Sequence, residues 1–530
     1  MKQSNLLLCK LFIGTLLFWL GSVLVKAEDP YLFYTWTVTY GTRSPLGVPQ
    51  QVILINGQFP GPAIEAVTNN NIVVNLINKL DEPFLITWNG IKQRRTSWQD
   101  GVLGTNCPIQ PNSNWTYQFQ LKDQIGTFTY FASTSMHRAS GAFGALNINQ
   151  RSVITTPYLT PDGDFTLLVT DWFKLSHKDL QKRLDAGYAL PLPDALLING
   201  ASKGLIFTGQ QGKTYKFRVS NVGIATSINF RIQNHTMTLI EVEGAHTLQE
   251  SYESLDIHVG QSVTVLVTLK ASVRDYYIVA SSRFTKPILN TTASLRYLGS
   301  KNAVSGPLPV GPTYHIHWSM KQARTIRMNL TANAARPNPQ GSYHYGTIPI
   351  NRTLVLANAA TMIYGKLRYT VNRISYINPT TPLKLADWYN ISGVFDFKTI
   401  LSTPTIGPAH FGTSVFDIEL HEFVEIVFQN DERSIQSWHM DGTWNETMRT
   451  RYNLVDAVAR HTFQVYPLSW TSILVSLDNK GMWNLRSQIW SRRYLGQELY
   501  VRVWNDEKSL YTEAEPPLNA LYCGLAKRPL

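Results

Sequence analysis

The chain has 530 residues, a formal charge of +12, 44% hydrophobic residues and three cysteines. That length suits two to four domains, each long enough to bury a core. The positive charge, carried behind an apolar N-terminal segment, argues against a nucleic-acid partner. It fits an acidic polysaccharide, a membrane surface, or simple solvation of the exterior.

Residues 1–27 read as a secretory signal peptide. Lys2 precedes an almost wholly apolar run from Leu6 to Val25, and Val25-Lys26-Ala27 leads into Glu28-Asp29-Pro30. The run is also long enough to be an uncleaved membrane anchor; small residues between 21 and 27 favour cleavage. Cleavage removes Lys2, Lys10 and Lys26, taking the charge from +12 to +9. The C-terminal stretch Tyr522 to Leu530 has no apolar tail to exchange for a glycolipid anchor. The expected mature chain is therefore soluble and extracellular. Cys9 leaves with the signal, and Cys107 and Cys523 are expected to pair in an oxidising compartment. Seven Asn-x-Ser/Thr acceptors fit a secreted glycoprotein: Asn114, Asn234, Asn290, Asn329, Asn351, Asn390 and Asn445.

From Tyr31 the sequence alternates as a half-buried strand does. Tyr34, Trp36, Val38 and Tyr40 face one way, and Thr35, Thr37 and Thr39 the other. Further strands are predicted at 51–55, 72–80, 84–88, 115–121, 127–131 and 144–148. Turn signals such as Asn56-Gly57 separate them. Long helical periodicity is nearly absent, and 179–186 is the best short helix. A strand ending in Asn recurs at Ile72 to Asn78, Tyr215 to Asn221 and Val424 to Asn430. The first two copies follow an Ile-Asn-Gly turn. These repeats predict three β-sandwich or Greek-key domains at 28–150, 151–310 and 311–530, with Ser305 to Pro312 as a Pro/Gly-rich linker.

The motifs Trp88-x-Gly90-Ile91, Trp98-x-Asp100-Gly101, Cys107-Pro108-Ile109, Gly126-Thr127-Phe128-x-Tyr130 and Gly141-Ala142-Phe143-Gly144 resemble the first domain of a plant ascorbate oxidase. The resemblance runs through to Cys523. It is stronger still to the plant monocopper-oxidase-like group, which includes skewed-growth wall proteins and pollen ascorbate-oxidase homologues. It implies an all-β chain of three cupredoxin-like (plastocyanin-like) domains and a Cys107–Cys523 disulfide.

The resemblance also implies where copper ligands would stand. Imidazoles belong at positions occupied here by Thr87 and Asn89, then Phe131 and Ser133, then Gln436, His439 and Asp441. The His-Cys-His bridge becomes Arg486-Ser487-Gln488, the last blue-copper imidazole becomes Arg492, and the axial position holds Gln497. Only His439 keeps a ligand. Phe131 binds no metal, Arg486 and Arg492 repel it, and a blue-copper site needs a thiolate and two imidazoles. The expectation is a scaffold without copper cofactor, catalytic residues or metal ligands. Its implied role lies in the cell wall, in directional growth or pollen-tube extension, with pectin or another wall protein as partner. An ascorbate-oxidase-type oxidoreductase with a residual copper site is the alternative.

Other candidates are read conservatively. His315-x-His317 has the spacing of two ligands on one strand face, but is taken as a surface or packed pair. His137-Arg138 is expected to border the old copper cavity. Glu241 and Glu243 alternate as on a solvated face. Asp441 and Arg486 are read in two ways: as a bridge that replaces metal within a polar network of Thr87, Asn89, Ser133, Gln488 and His439, or as the border of a small water-filled cavity without function. Arg94-Arg95, Arg324/Arg327 and Arg449/Arg451 are read either as the basic clusters that meet pectin or as solvated surface.

Overall fold

A computed structural model describes residues 29–332, 345–432, 443–507, 509 and 511–526. Three two-sheet sandwiches follow one another. In the first, strands run in the order Gln50–Ile55, Tyr31–Arg43, Asn71–Asn78, Asn114–Gln120. They face a second sheet ordered Ile64–Val67, Phe143–Asn149, Gly126–Ala132, Ile86–Asn89. The alternation predicted from Tyr34 holds, since Trp36 and Val38 are fully enclosed while Thr35 is exposed. Trp36, Trp88 and Tyr130 meet in that core, with Tyr130 4.8 Å from Trp36.

The second sandwich pairs a sheet around Gly163–Trp172, Thr214–Asn221 and Ser262–Thr268 with one around Asp275–Ser282 and Asn290–Tyr297. The third pairs a sheet around Arg352–Ile363, Phe423–Asn430 and Ser469–Ser476 with Val415–Glu419, Glu498–Trp504 and Gly481–Arg486.

The Asn-ending repeat has a physical basis. Each repeat strand lies parallel to the first long strand of its own domain. The terminal Asn is enclosed and ties down the chain beyond it. Asn78 donates to the Glu82 and Ile109 carbonyls and accepts from the Leu80 N–H. Asn221 donates to the Thr226 and Ile257 carbonyls and accepts from the Gly223 N–H. Asn430 donates to the Tyr466 carbonyl and accepts from the Glu432 N–H.

A second Asn also recurs, at left-handed φ of 49°, 45° and 46° in Asn56, Asn199 and Asn372. Each reaches across to the neighbouring strand, accepting from the N–H of Thr37, Leu168 or Ala357 and donating to the carbonyl two residues earlier. The third turn is Val371-Asn372-Arg373, with Arg373 at φ 69° where the first two turns have Gly. This hides it from a search for Ile-Asn-Gly.

Several local expectations need correcting. The strand expected at 84–88 is Ile86–Asn89, with Phe84 making a lone bridge to Ile109. The short helix is His177–Asp185, capped by the Ser176 hydroxyl, which accepts from the Asp179 N–H. His315 and His317 do not share a strand face. His315 is the residue before helix Ile316–Thr325, which was not anticipated, and both histidines are exposed.

The domains are locked together by shared cores. Phe131, Met136 and Phe143 of the first domain, Leu168, Phe173 and Leu180 of the second, and Trp490 and Leu495 of the third form one buried cluster. The Cys107–Cys523 disulfide is present, joining the first domain to the C-terminal segment over 416 residues. No helix among the described residues is long and apolar enough to cross a membrane.

Candidate functional site

The opening motif builds a corner. After strand Ile86–Asn89 the chain turns, makes a short 3-10 turn at Ser97–Gln99 and doubles back at Gly101, φ 70°. A Cβ at Gly101 would collide with the Ile86 carbonyl oxygen, so only glycine fits. The corner carries Asp100 to the rim of a cavity of about 230 Å³ between the first and third domains.

Six of the twelve copper-ligand positions line this cavity: Thr87, Asn89, Arg486, Ser487, Gln488 and Gln497. Thr87 and Asn89 reach it because they alternate onto one face of a strand. Asn89 joins all three domains. Its amide donates to the Gly260 carbonyl at 3.4 Å and its carbonyl accepts from Gln488 at 3.2 Å. Leu356, Val371, Phe428, Phe463 and Trp483 supply an apolar wall.

Phe131, Ser133 and Arg492 lie behind the wall. Phe131 meets Trp490 edge-on at 5.5 Å, and the Arg138 guanidinium stacks 3.9 Å above its ring centre. The Ser133 hydroxyl donates to the Gly101 carbonyl at 2.5 Å, and its own carbonyl accepts from Arg493 at 2.6 Å. Arg492 pairs with Glu432 at 2.6 Å and covers the Tyr369 ring. Gln436, His439 and Asp441 lie outside the described residues, and with them the expected Asp441–Arg486 bridge. Among the described residues, Arg486 donates to Asn484 at 3.0 Å. His137 and Arg138 do not line the cavity, contrary to expectation; Arg138 is fully enclosed among Phe131, Trp490 and the Val222 carbonyl.

His461, Trp483 and the position of Asp100 on the rim were not foreseen, because no spacing in the sequence joins them to the ligand stretches. Burial lowers the His461 imidazole to about 3, with Arg486 and Arg460 adding repulsion. Burial raises the Asp100 carboxyl to about 6 against the pull of Arg486. Burial and the neighbouring Arg493 lower Arg486, partly offset by Asp100. Among the described residues, Thr87 Oγ1, His461 Nε2, Arg486 Nε and Gln488 Oε1 have no hydrogen-bond partner. Each such buried group costs about 1–3 kcal/mol if left dry, so the wall suits solvent or a polar guest.

Glu241 and Glu243 are not on a solvated face. Both are buried, and Glu241 accepts from the Thr127 and Gly244 N–H groups. Glu243 accepts from the His461 and Thr462 N–H groups at 2.8 and 2.9 Å, pinning the His461 segment onto the second domain. Burial pushes the Glu243 carboxyl from 4.5 up to about 7, against the pull of Arg460. The folded chain therefore keeps a proton that the unfolded chain loses at lower pH. Its contribution to stability is full below about 4.5 and is lost as pH rises through about 7. Urea unfolding of Glu243→Gln and wild type at pH 5 and pH 8 is expected to shift in favour of the variant at the higher pH. An unchanged or opposite difference would refute the assignment.

Comparison with known proteins agrees with this architecture. The multicopper oxidase family profiles match residues 37–153, 163–300 and 380–509. The chain is 53% identical to an "L-ascorbate oxidase homolog" of Brassica napus, over 96% of this chain and 95% of that one. It is 49% identical to "Monocopper oxidase-like protein SKU5" of Arabidopsis thaliana, over 96% and 92%. Fet3p, described as a multicopper oxidase that functions in iron import, superposes with a TM-score of 0.73 at 23% identity, over 89% of this chain and 90% of that one. With three cupredoxin-like sandwiches, three matching family profiles and relatives aligned over nearly their whole length, the chain belongs to the multicopper oxidase family.

Proposed function

We propose that this protein is a secreted glycoprotein of the plant cell wall that keeps the multicopper oxidase scaffold without its copper chemistry. The observation that carries this reading is the Arg486 guanidinium in the cavity wall, where the family resemblance places an imidazole. A copper cluster needs convergent imidazoles, and a blue-copper centre needs a thiolate as well. Among the described residues His461 is the sole imidazole lining the cavity, and Cys107 and Cys523 are bonded to each other. Those residues do not fit copper. The experiment is copper loading of the purified chain followed by oxygen uptake on ascorbate or phenols, with no copper-dependent uptake expected.

Secretion is supported by the N-terminal signal pattern and by the sequons. Asn114, Asn234, Asn290, Asn351, Asn390 and Asn445 are exposed, and Asn329 is half-buried. A role in directional growth or pollen-tube extension is part of the proposal through the resemblance alone. Pectin is the partner this reading carries. In each basic cluster one arginine is already held by an acid of the chain: Arg94 by Asp478, Arg327 by Asp456 and Arg449 by Glu425. A polysaccharide partner rests on the overall positive charge.

A further inference from the structure

We propose that Glu82, His137 and His177 form a binding site for a first-row divalent metal ion that clasps the first domain to the second. None of the three lines the interdomain cavity, and none occupies a position assigned to a copper ligand. Glu82 stands in the turn after strand Asn71–Asn78, its carbonyl held by the repeat residue Asn78. His137 opens a 3-10 turn of the first domain, and His177 begins the capped helix of the second.

The two imidazoles aim the same atom at one target. His137 Nε2 lies 2.6 Å from Glu82 Oε2, and His177 Nε2 lies 3.4 Å from that same oxygen. All three donor atoms fall within 4.8 Å of one another. The single carboxylate oxygen serves His137 well and His177 poorly, at the long limit for a hydrogen bond. A cation among them would satisfy both rings. Two ligands on a tetrahedral ion with bonds near 2.0 Å stand about 3.2 Å apart, so Glu82 and His137 must separate by only about half an ångström.

The surroundings are those of a built site. Both rings are orientated from behind: Thr134 Oγ1 is 3.0 Å from His137 Nδ1, and Ser140 Oγ is 3.2 Å from His177 Nδ1. Such outer partners fix ring orientation at metal centres. The histidine side chains are 0% and 2% exposed, whereas Glu82 is 25% exposed and opens a route for the ion. Phe84 packs near one ring and Tyr40 stacks on the other.

Two imidazoles and one carboxylate give a nitrogen-rich donor set suited to zinc and its neighbours, with room for water as a further ligand.

One group opposes the ion. Lys178 Nζ lies 3.2 Å from Glu82 Oε1, although Asp81 holds it more closely at 2.8 Å. This supplies a test that a merely structural cluster would not pass.

The full-length chain is stripped with chelator and dialysed against Zn²⁺ at pH 7, and bound zinc is counted. One zinc per wild-type chain is expected, with affinity falling at least about tenfold in His137→Gln and in His177→Gln. Lys178→Gln removes the repelling charge, leaves the three ligands in place and is expected to tighten binding several-fold. His315→Gln/His317→Gln, which alters the exposed pair, is expected to leave binding unchanged. Folding of each variant is checked by its melting point without zinc. Failure of folded wild type to hold zinc would overturn the proposal, as would zinc binding unchanged in both single histidine variants, or not tightened in Lys178→Gln.

Discussion

Gly101→Ala is expected to lower stability by about 3 kcal/mol or more, the largest loss from any single added methyl group in the first domain. A non-glycine residue at φ 70° costs roughly 1–2 kcal/mol from the left-handed backbone alone. The remainder comes from the collision of the new Cβ with the Ile86 carbonyl oxygen. Ile86 cannot move freely, because it is enclosed and its N–H donates to the buried Tyr117 hydroxyl at 3.1 Å. Overpacking of this kind displaces backbone, here the strand that carries Thr87 and Asn89 into the cavity. Gly57→Ala is the control. It has nearly the same φ, 71°, but nothing within 4 Å of the added atom, so it should show only the backbone cost. Urea unfolding followed by tryptophan fluorescence compares the two, and equal losses would refute the argument from the Ile86 carbonyl.

Arg283→Met is expected to cost about 3–5 kcal/mol by leaving the Asp256 carboxylate buried without its cation. The pair is almost wholly enclosed, with side chains 0% and 3% exposed, and Arg283 Nε contacts both carboxylate oxygens at 3.0 and 2.9 Å. Arg283 also donates to the Thr313 and His315 carbonyls, so it fastens the end of the linker to the second domain. Arg94→Met removes a more exposed partner of Asp478 and should cost under about 1 kcal/mol. Comparable losses in the two variants, measured as melting-point shifts in one buffer, would contradict the weight given to burial.

The fold was legible because its periodicities are local. Alternation around Trp36 marks a strand with one buried face, and the Asn-ending strands mark three copies of one connection. The third copy was only half visible, since Arg373 takes a backbone conformation that sequence rules reserve for Gly or Asn. Glu243 was misread because alternation does not reveal that a tight turn, φ 49°, buries it under another domain. Thr87, Asn89 and Gln488 could be placed at the cavity through the family resemblance, and they do line it. His461 could not, because it enters the wall from a segment with no ligand spacing. The Glu82, His137 and His177 cluster was invisible for a similar reason: its members are 55 and 95 residues from Glu82 and come from two domains.

Copper loading tests the central claim most directly. The purified full-length chain and the His137→Gln/His177→Gln double variant are loaded with excess copper and freed of unbound metal. Both are then assayed for copper content and for oxygen uptake on ascorbate and on phenols. The account predicts no copper-dependent oxygen uptake by either protein and no copper retained by the double variant. Copper held in stoichiometric amount by the double variant, together with oxygen uptake, would contradict it.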